Sequence, residues 1–146
     1  MTSNSADRAP GTCLRTALRL LARRDHFSVE IVDKLVEKGF LRDDAIAAAQ
    51  KLKGMNYLND LRTLEAYAAE MKRHKKGFLF LCKKLIEKGA RALFSDRELR
   101  AAYTVEEERA IARVLAAKMR WGDMAHRRLA TRGFSADAIR DTRLSG

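Results

Sequence analysis

From Leu14 onward the apolar residues recur every three to four positions with charged residues between them, the spacing of one-sided helices rather than of strands. Leu14, Ala17, Leu18 and Leu21 define the first such stripe, with Arg15, Arg19, Arg23 and Arg24 mostly off it. Ser28 is the expected N-cap of a second helix carrying Ile31 and Leu35. A third starts near Asp43 and Asp44, whose charge suits a positive helix end, and carries Ile46, Ala49 and Leu52 before Gly54. The pattern resumes after Leu58-Asn59-Asp60 with Leu64, Tyr67, Ala68 and Met71. It breaks at Lys72-Arg-His-Lys-Lys76-Gly77 and restarts at the apolar run Phe78-Leu-Phe-Leu-Cys82. Ser95-Asp-Arg-Glu98 and Thr104-Val-Glu-Glu107 are capping boxes. They open a helix with Leu99 and Ala102, and another with Ala110, Ile111, Val114, Leu115 and Met119 inside and Glu106 to Glu108 in its first turn. After the break at Arg120-Trp121-Gly122 come Met124, Ala125 and Leu129, then Ser135 as cap of a last short helix around Ile139.

Three helix ends repeat one another: Leu35-Val-Glu-Lys-Gly39-Phe40, Leu85-Ile-Glu-Lys-Gly89-Ala90 and Leu129-Ala-Thr-Arg-Gly133-Phe134. In each a cation meets the negative end of the helix dipole, and the glycine is placed to take the left-handed conformation after the last turn. The glycines fall 50 and then 44 residues apart, so the chain reads as an internal repeat of helical units. The expected organisation is a disordered tail over residues 1–11 and three-helix repeats over 12–54, 55–103 and 104–146. The fold class is all-α, with almost no sheet. The single proline, Pro10, and the wealth of Ala, Leu, Arg, Lys and Glu agree with it.

Charge adds the first functional hint. Thirty Lys and Arg against 19 Asp and Glu give a net +11. The excess is distributed as +3, +5 and +3 over the three repeats, which points to a polyanionic partner, nucleic acid before anionic membrane. No apolar run reaches the roughly 20 residues needed to cross a bilayer, and residues 1–8 lack a signal core, so a cytoplasmic protein without membrane association is expected. Cys13 and Cys82 have no CxxC spacing and read as buried thiols. His26, His74 and His126 lack metal-site spacing, and no GxxxxGK[ST] or GxGxxG loop is present. The sequence therefore predicts a binding protein, with no catalytic residues, no metal and no cofactor.

The stretch Ala17-Leu-Arg-Leu-Leu-Ala-Arg-Arg-Asp25, the helix end at Gly39-Phe40, the Tyr57-Leu-Asn-Asp60 junction, Lys76-Gly77 with Leu85-x-x-Lys-Gly89, and Leu129-x-x-Arg-Gly-Phe134-Ser135 together resemble the RecX family of RecA regulators over about residues 14–143. The resemblance implies three tandem three-helix repeats in an elongated, curved, basic array that acts as a monomer. It implies binding to RecA and to the RecA–single-stranded DNA filament, with inhibition of ATP hydrolysis, strand exchange and coprotease activity in DNA repair, homologous recombination and the SOS response. Weak, nonspecific contact with nucleic acid would accompany it. The residues expected to make the contact are Lys72, Arg73, Lys75 and Lys76 from the middle repeat and Arg120, Arg127, Arg128 and Arg132 from the last, with Trp121 either stacking on a base or sealing a helix junction. Thr63 and Leu64 depart from the family's usual aromatic and alanine, and Phe78 to Leu81 are more apolar than its usual residues there. That run reads either as core or as an exposed contact surface. The competing function is nonspecific or helix-turn-helix DNA binding, although no repeat ends in a helix rich in Arg, Asn and Gln.

Overall fold

The computed structural model describes residues 10–119 and 123–145, so residues 1–9 of the tail expected over 1–11, and the expected break at Arg120, Trp121 and Gly122, lie outside the described residues, while residues 10 and 11 belong to the first helix. Among the described residues there are nine α-helices, one 3₁₀ turn at Arg91–Leu93 and no strand. The helices are α1 (Pro10–Arg23), α2 (Ser28–Glu37), α3 (Arg42–Gly54), α4 (Asp60–Arg73), α5 (Phe78–Glu87), α6 (Asp96–Ala102), α7 (Val105–Lys118), α8 (Asp123–Thr131) and α9 (Ala136–Ser145). Two compact units are formed, one from the residues through Thr63 with Lys88–Ala90, the other from Leu64–Glu87 with Arg91 onward.

In the first unit, α1, α2 and α3 enclose Cys13, Ala17, Ile31, Leu35, Phe40, Ala45, Ala48, Ala49, Leu52 and Leu58. The small residues of α3 let the other two helices approach closely, so Ile46, expected inside, is left 39% exposed. Pro10 rather than Leu14 begins α1, a place where a missing backbone N–H costs nothing. Ser28 is the first helical residue, not the cap; the cap position is Phe27. The serine's backbone N–H and hydroxyl instead both donate to the Asp60 carboxylate, each at 2.6 Å, so the acid that starts α4 closes the N-terminus of α2.

In the second unit, Ala112, Leu129, Phe134 and Ala138 pack α7, α8 and α9 together, with Ile111, Leu115 and Ile139 against them. The buried stripe of α7 is Glu108, Ala112 and Ala116. Ala110 and Val114, expected inside, are exposed, because the alanine stripe allows the closer approach of α9. Two fork-shaped pairs tie the same helices: Arg109 donates to Asp137 at 2.8 and 2.9 Å, and Arg113 to Asp141 at 2.7 and 2.9 Å. The hydrogen bonds from Arg109 hold the Asp137 carboxyl below its ordinary range.

The repeated helix ends behave as their sequence demands. Gly39, Gly89 and Gly133 have φ of +100°, +71° and +86°. At Gly39 the Phe40 N–H donates to Leu35 O (3.1 Å) and the Gly39 N–H to Val36 O (3.0 Å); Phe134 and Gly133 repeat this toward Leu129 O and Ala130 O. Helices α3 and α4 close the same way without glycine. Their left-handed residues are Asn56 (φ +63°) and Lys75 (φ +55°), ahead of bonds from Tyr57 N–H to Leu52 O and from Lys76 N–H to Met71 O. Gly54 and Gly77 therefore do not supply the turn, and Gly77 has a different task.

Candidate polyanion-binding face

Two basic stretches that lie far apart in the sequence meet at one junction of the second unit. The α4 end delivers Lys72, Arg73, His74, Lys75 and Lys76, and the α8 end delivers Arg127, Arg128 and Arg132. They meet because Gly77 and Gly133 cross at backbone contact. The Gly77 N–H donates to Arg132 O and the Leu79 N–H to Gly133 O, both at 2.9 Å. A β-carbon built on Gly77 would lie 2.3 Å from the Gly133 carbonyl and the Phe134 nitrogen, and one on Gly133 would lie 2.6 Å from the Phe80 nitrogen and β-carbon. Only two residues without side chains allow this approach.

The cations at the junction divide into structural and outward-facing groups. Arg132 donates from Nε to Lys75 O (3.0 Å) and from Nη2 to His74 O (2.7 Å), capping the carbonyls that α4 leaves open. Lys72 Nζ lies 2.6 Å from Glu107 and 5.5 Å from the Tyr103 ring centre. Burial pushes the Glu107 carboxyl up, but the hydrogen bonds from Lys72 and Thr104 outweigh it and hold the group below its ordinary value. Lys76 Nζ stands 4.8 Å from the Phe80 ring centre. Arg73, Arg127 and Arg128 are exposed, and among the described residues their side chains have no ion pair. Met119, Met124, Arg127, Arg128, Thr131 and Arg132 line an open groove of about 490 Å³. Arg120, expected in the same group, and Trp121 lie outside the described residues.

What holds the junction was not read from the sequence. Glu108 is fully buried and accepts four hydrogen bonds: from Phe78 N–H (3.0 Å), Ser135 N–H (2.9 Å), Ser135 Oγ (2.7 Å) and Arg100 (3.1 Å). One carboxylate thereby caps α5 and α9 at once and meets the positive ends of both. Arg100 also stacks 3.7 Å from the Phe78 ring centre. The Tyr103 hydroxyl donates to Lys76 O at 2.7 Å, and burial, with Glu108 and Glu107 nearby, pushes its pKa up. In the sequence Glu106 to Glu108 look like three equivalent acids in a first turn. The one available signal is that Glu108 stands four residues from Ala112 and eight from Ala116, on the stripe of smallest side chains.

The apolar run splits between its two readings. Leu81 is buried, Phe78 and Phe80 are half-buried beside the junction, and Leu79 is 52% exposed. In the first unit, a groove of about 310 Å³ between α2 and α3 is lined by Val29, Val32, Ile46 and Ala49 with Asp33, Arg42 and Lys53. Its cations are occupied, Arg42 by Asp33 at 3.7 Å and Lys53 by Asp60 at 3.4 Å. Among the described residues no three His, Cys, Asp or Glu side chains gather as a metal site would require, and no helix is long and apolar enough to cross a membrane.

Short helices closed by left-handed turns, capped by acids borrowed from other helices and studded with outward arginines, define an all-helical repeat-type protein. Comparison with known proteins is more specific. Residues 13–52 match the family model described as RecX, first three-helix domain. Two proteins of Legionella pneumophila, one of them from strain Corby, each called regulatory protein RecX, are 40% identical over 52 residues, which is 36% of this chain and 35% of each relative. The sequence match thus spans about a third of the length of these relatives. A crystal structure of RecX from Lactobacillus salivarius superposes with a TM-score of 0.80 at 23% identity, covering 93% of this chain and 95% of that one. A crystal structure of regulatory protein RecX gives 0.73 at 21% identity over 95% of this chain and 73% of that one. The sequence match to the RecX family is carried by α1 to α3, and the fold of the chain is shared with solved RecX structures.

Proposed function

We propose that this protein regulates a RecA-type recombinase by binding the recombinase and its filament on single-stranded DNA, inhibiting ATP hydrolysis, strand exchange and coprotease activity in repair, recombination and the SOS response. The observation that carries the reading is the junction at Gly77 and Gly133, where two basic stretches separated by more than fifty residues are held side by side. The match of residues 13–52 to a RecX family model and the relatives' printed name of regulatory protein support the same reading.

The contact falls to the side chains that the fold does not use. Arg73, Arg127 and Arg128 point outward and can neutralise phosphates or acidic side chains of the filament. Lys75 and Lys76 flank them. Lys72 and Arg132 act indirectly, by keeping the α4 end in place. Contact there would place a positively charged body against the filament, where it competes with incoming DNA and hinders subunit rearrangement.

The test is ATP hydrolysis by RecA on single-stranded DNA with increasing amounts of the protein. The wild type is expected to inhibit at or below equal amounts, and an Arg73→Ala, Arg127→Ala, Arg128→Ala variant to lose inhibition while keeping its unfolding midpoint. Undiminished inhibition by the triple variant, or none by the wild type, overturns the reading. An alternative, sequence-nonspecific DNA binding without a recombinase, would give equal affinity for naked and RecA-coated strands in a gel-shift comparison.

A further inference from the structure

We propose that the outer face of α1 is a second contact surface, for the phosphodiester backbone of a nucleic-acid strand. The proposal stands apart from the recombinase reading, because it concerns the first unit and a strand alone.

Among the described helices α1 is the one without a single acidic residue. Its cations Arg15, Arg19 and Arg23 follow one another at intervals of four, the spacing that puts helical side chains on one face. All three are exposed, and among the described residues they make no ion pair or side-chain hydrogen bond. The opposite face is occupied: Cys13 and Ala17 are buried in the core, with Leu14, Leu18, Leu20 and Leu21 packed against it. Like charges four residues apart repel, so this row opposes the helix that carries it. Cations elsewhere in the same unit that do have a carboxylate partner include Arg24, with Glu30 at 3.0 Å, and Lys53, with Asp60 at 3.4 Å. A row of three exposed arginines on a helix without an acid suits an anion supplied from outside.

Geometry selects the class of anion. Successive arginines are separated by about 6 Å along the axis, so the row spans about 12 Å. A nucleic-acid strand offers a phosphate about every 3.4 Å of axis, and each planar guanidinium can take one with two parallel hydrogen bonds. Insertion into an anionic membrane needs the apolar face of the helix, and in α1 that face is already buried in the core.

The experiment measures binding of the full chain to a fluorescein-labelled oligodeoxythymidylate by anisotropy as salt is raised. Each lost phosphate contact on a single strand lowers the slope of log affinity against log salt by about 0.7. An Arg15→Gln, Arg19→Gln, Arg23→Gln variant is therefore expected to bind with a slope shallower by about 2 and at least tenfold more weakly at about 0.1 M salt. The corresponding triple lysine variant keeps the slope. Ala22→Glu, which retains every arginine and adds an acid to the exposed face, weakens binding in the same direction. A glutamine variant with unchanged slope and affinity overturns the proposal. So does one that keeps oligonucleotide binding but loses retention on polyglutamate or on phosphatidylserine vesicles, which would give the row to an acidic protein or a membrane. No recombinase is present in the assay, so failure here is distinct from failure of the inhibition test.

Discussion

Replacing the glycines by alanine separates two reasons for a glycine that look identical in sequence. At Gly39 and Gly89 nothing lies within 4 Å of the place a β-carbon would take, and the only penalty is the left-handed backbone, φ +100° and +71°. That costs about 1–2 kcal/mol. Gly133 carries the same penalty (φ +86°) and a steric one, since its β-carbon would sit 2.6 Å from Phe80. Overpacking adds about 1–3 kcal/mol, so Gly133→Ala should cost about 2–5 kcal/mol in all. Gly77→Ala has no left-handed penalty, but the atoms its β-carbon would meet at 2.3 Å are all backbone, and no side chain can swing away to relieve the clash. Relief requires parting the two segments at the crossing, with loss of the Gly77 to Arg132 and Leu79 to Gly133 hydrogen bonds. At about 1 kcal/mol for each bond plus the packing term, the cost is about 3–5 kcal/mol. Urea unfolding followed by far-ultraviolet circular dichroism measures all four variants, and the expected order of midpoints places Gly77→Ala and Gly133→Ala well below Gly39→Ala and Gly89→Ala. The double variant at 77 and 133 should lose less than the sum of the singles, because one separation relieves both clashes. A Gly77→Ala protein as stable as Gly39→Ala would refute the crossing, and with it the means by which the two basic stretches are joined.

Glu108→Ala leaves Arg100 and two helix N-termini without their acceptor, and a loss of about 3–5 kcal/mol is expected by urea titration; a loss under about 1 kcal/mol would show that the carboxylate is replaceable. Lys75→Gly relieves a side chain from left-handed backbone, about 1–2 kcal/mol, less the roughly 0.5–1 kcal/mol of chain entropy that glycine adds, and a net stabilisation of up to about 1 kcal/mol is expected by urea titration. His26 is buried, its Nδ1 bonded to Arg24 O at 2.9 Å and its Nε2 accepting from Lys34 at 3.1 Å, an arrangement that requires the neutral ring. Burial is the largest cause and lowers its pKa; the hydrogen bond to the Arg24 carbonyl, and more weakly Glu30, act against it, while the charges of Arg24 and Lys34 add to the lowering, and burial likewise lowers the pKa of Lys34. Below the unfolded value of about 6.5 the unfolded chain binds the proton first, so stability is complete above that pH and falls beneath it, by at most about 1.4 kcal/mol per pH unit. Unfolding midpoints measured from pH 7.5 to pH 5 should show this fall, and His26→Gln should abolish it; a midpoint that rises on acidification contradicts the assignment.

How far the sequence could be read depended on how far along the chain each cause lies. The helix ends at Gly39, Gly89 and Gly133 and the capping boxes at Ser95 and Thr104 were legible, because each is settled within a few residues: Ser95 Oγ accepts from Glu98 N–H at 3.1 Å and Thr104 Oγ1 from Glu107 N–H at 3.1 Å. The role of Gly77 was not, since it depends on a segment more than fifty residues away, and at Gly54 and Gly77 the nearer residues Asn56 and Lys75 take the left-handed turn instead. The same limit applies to Asp60 and Glu108. Each looks like an ordinary acid at a helix start, and each caps another helix about thirty residues distant. The inner face of α7 was read only in part, Ile111 and Leu115 packing inside as expected but Ala110 and Val114 not, for a related reason. Periodicity finds the largest apolar residues, but α7 packs through its smallest, Ala112 and Ala116.

The basic character has to be apportioned before it can be assigned to a partner. Counting composition treats all thirty cations alike. In the folded chain Arg24, Lys72, Arg100, Arg109 and Arg113 face carboxylates, and Arg132 faces backbone carbonyls. Each of these connects segments, so its charge is already committed to holding one helix at another. Lys72 and Arg132, which stand beside Arg73 and Arg128 in the sequence as members of the same basic runs, belong to this first group. Arg73, Arg127 and Arg128 in the second unit, and Arg15, Arg19 and Arg23 in the first, have no such commitment among the described residues. Neighbours in sequence thus differ in role according to whether a carboxylate or an unsatisfied carbonyl is within reach, and a surface for polyanions is defined by the cations that the folded chain leaves unmatched.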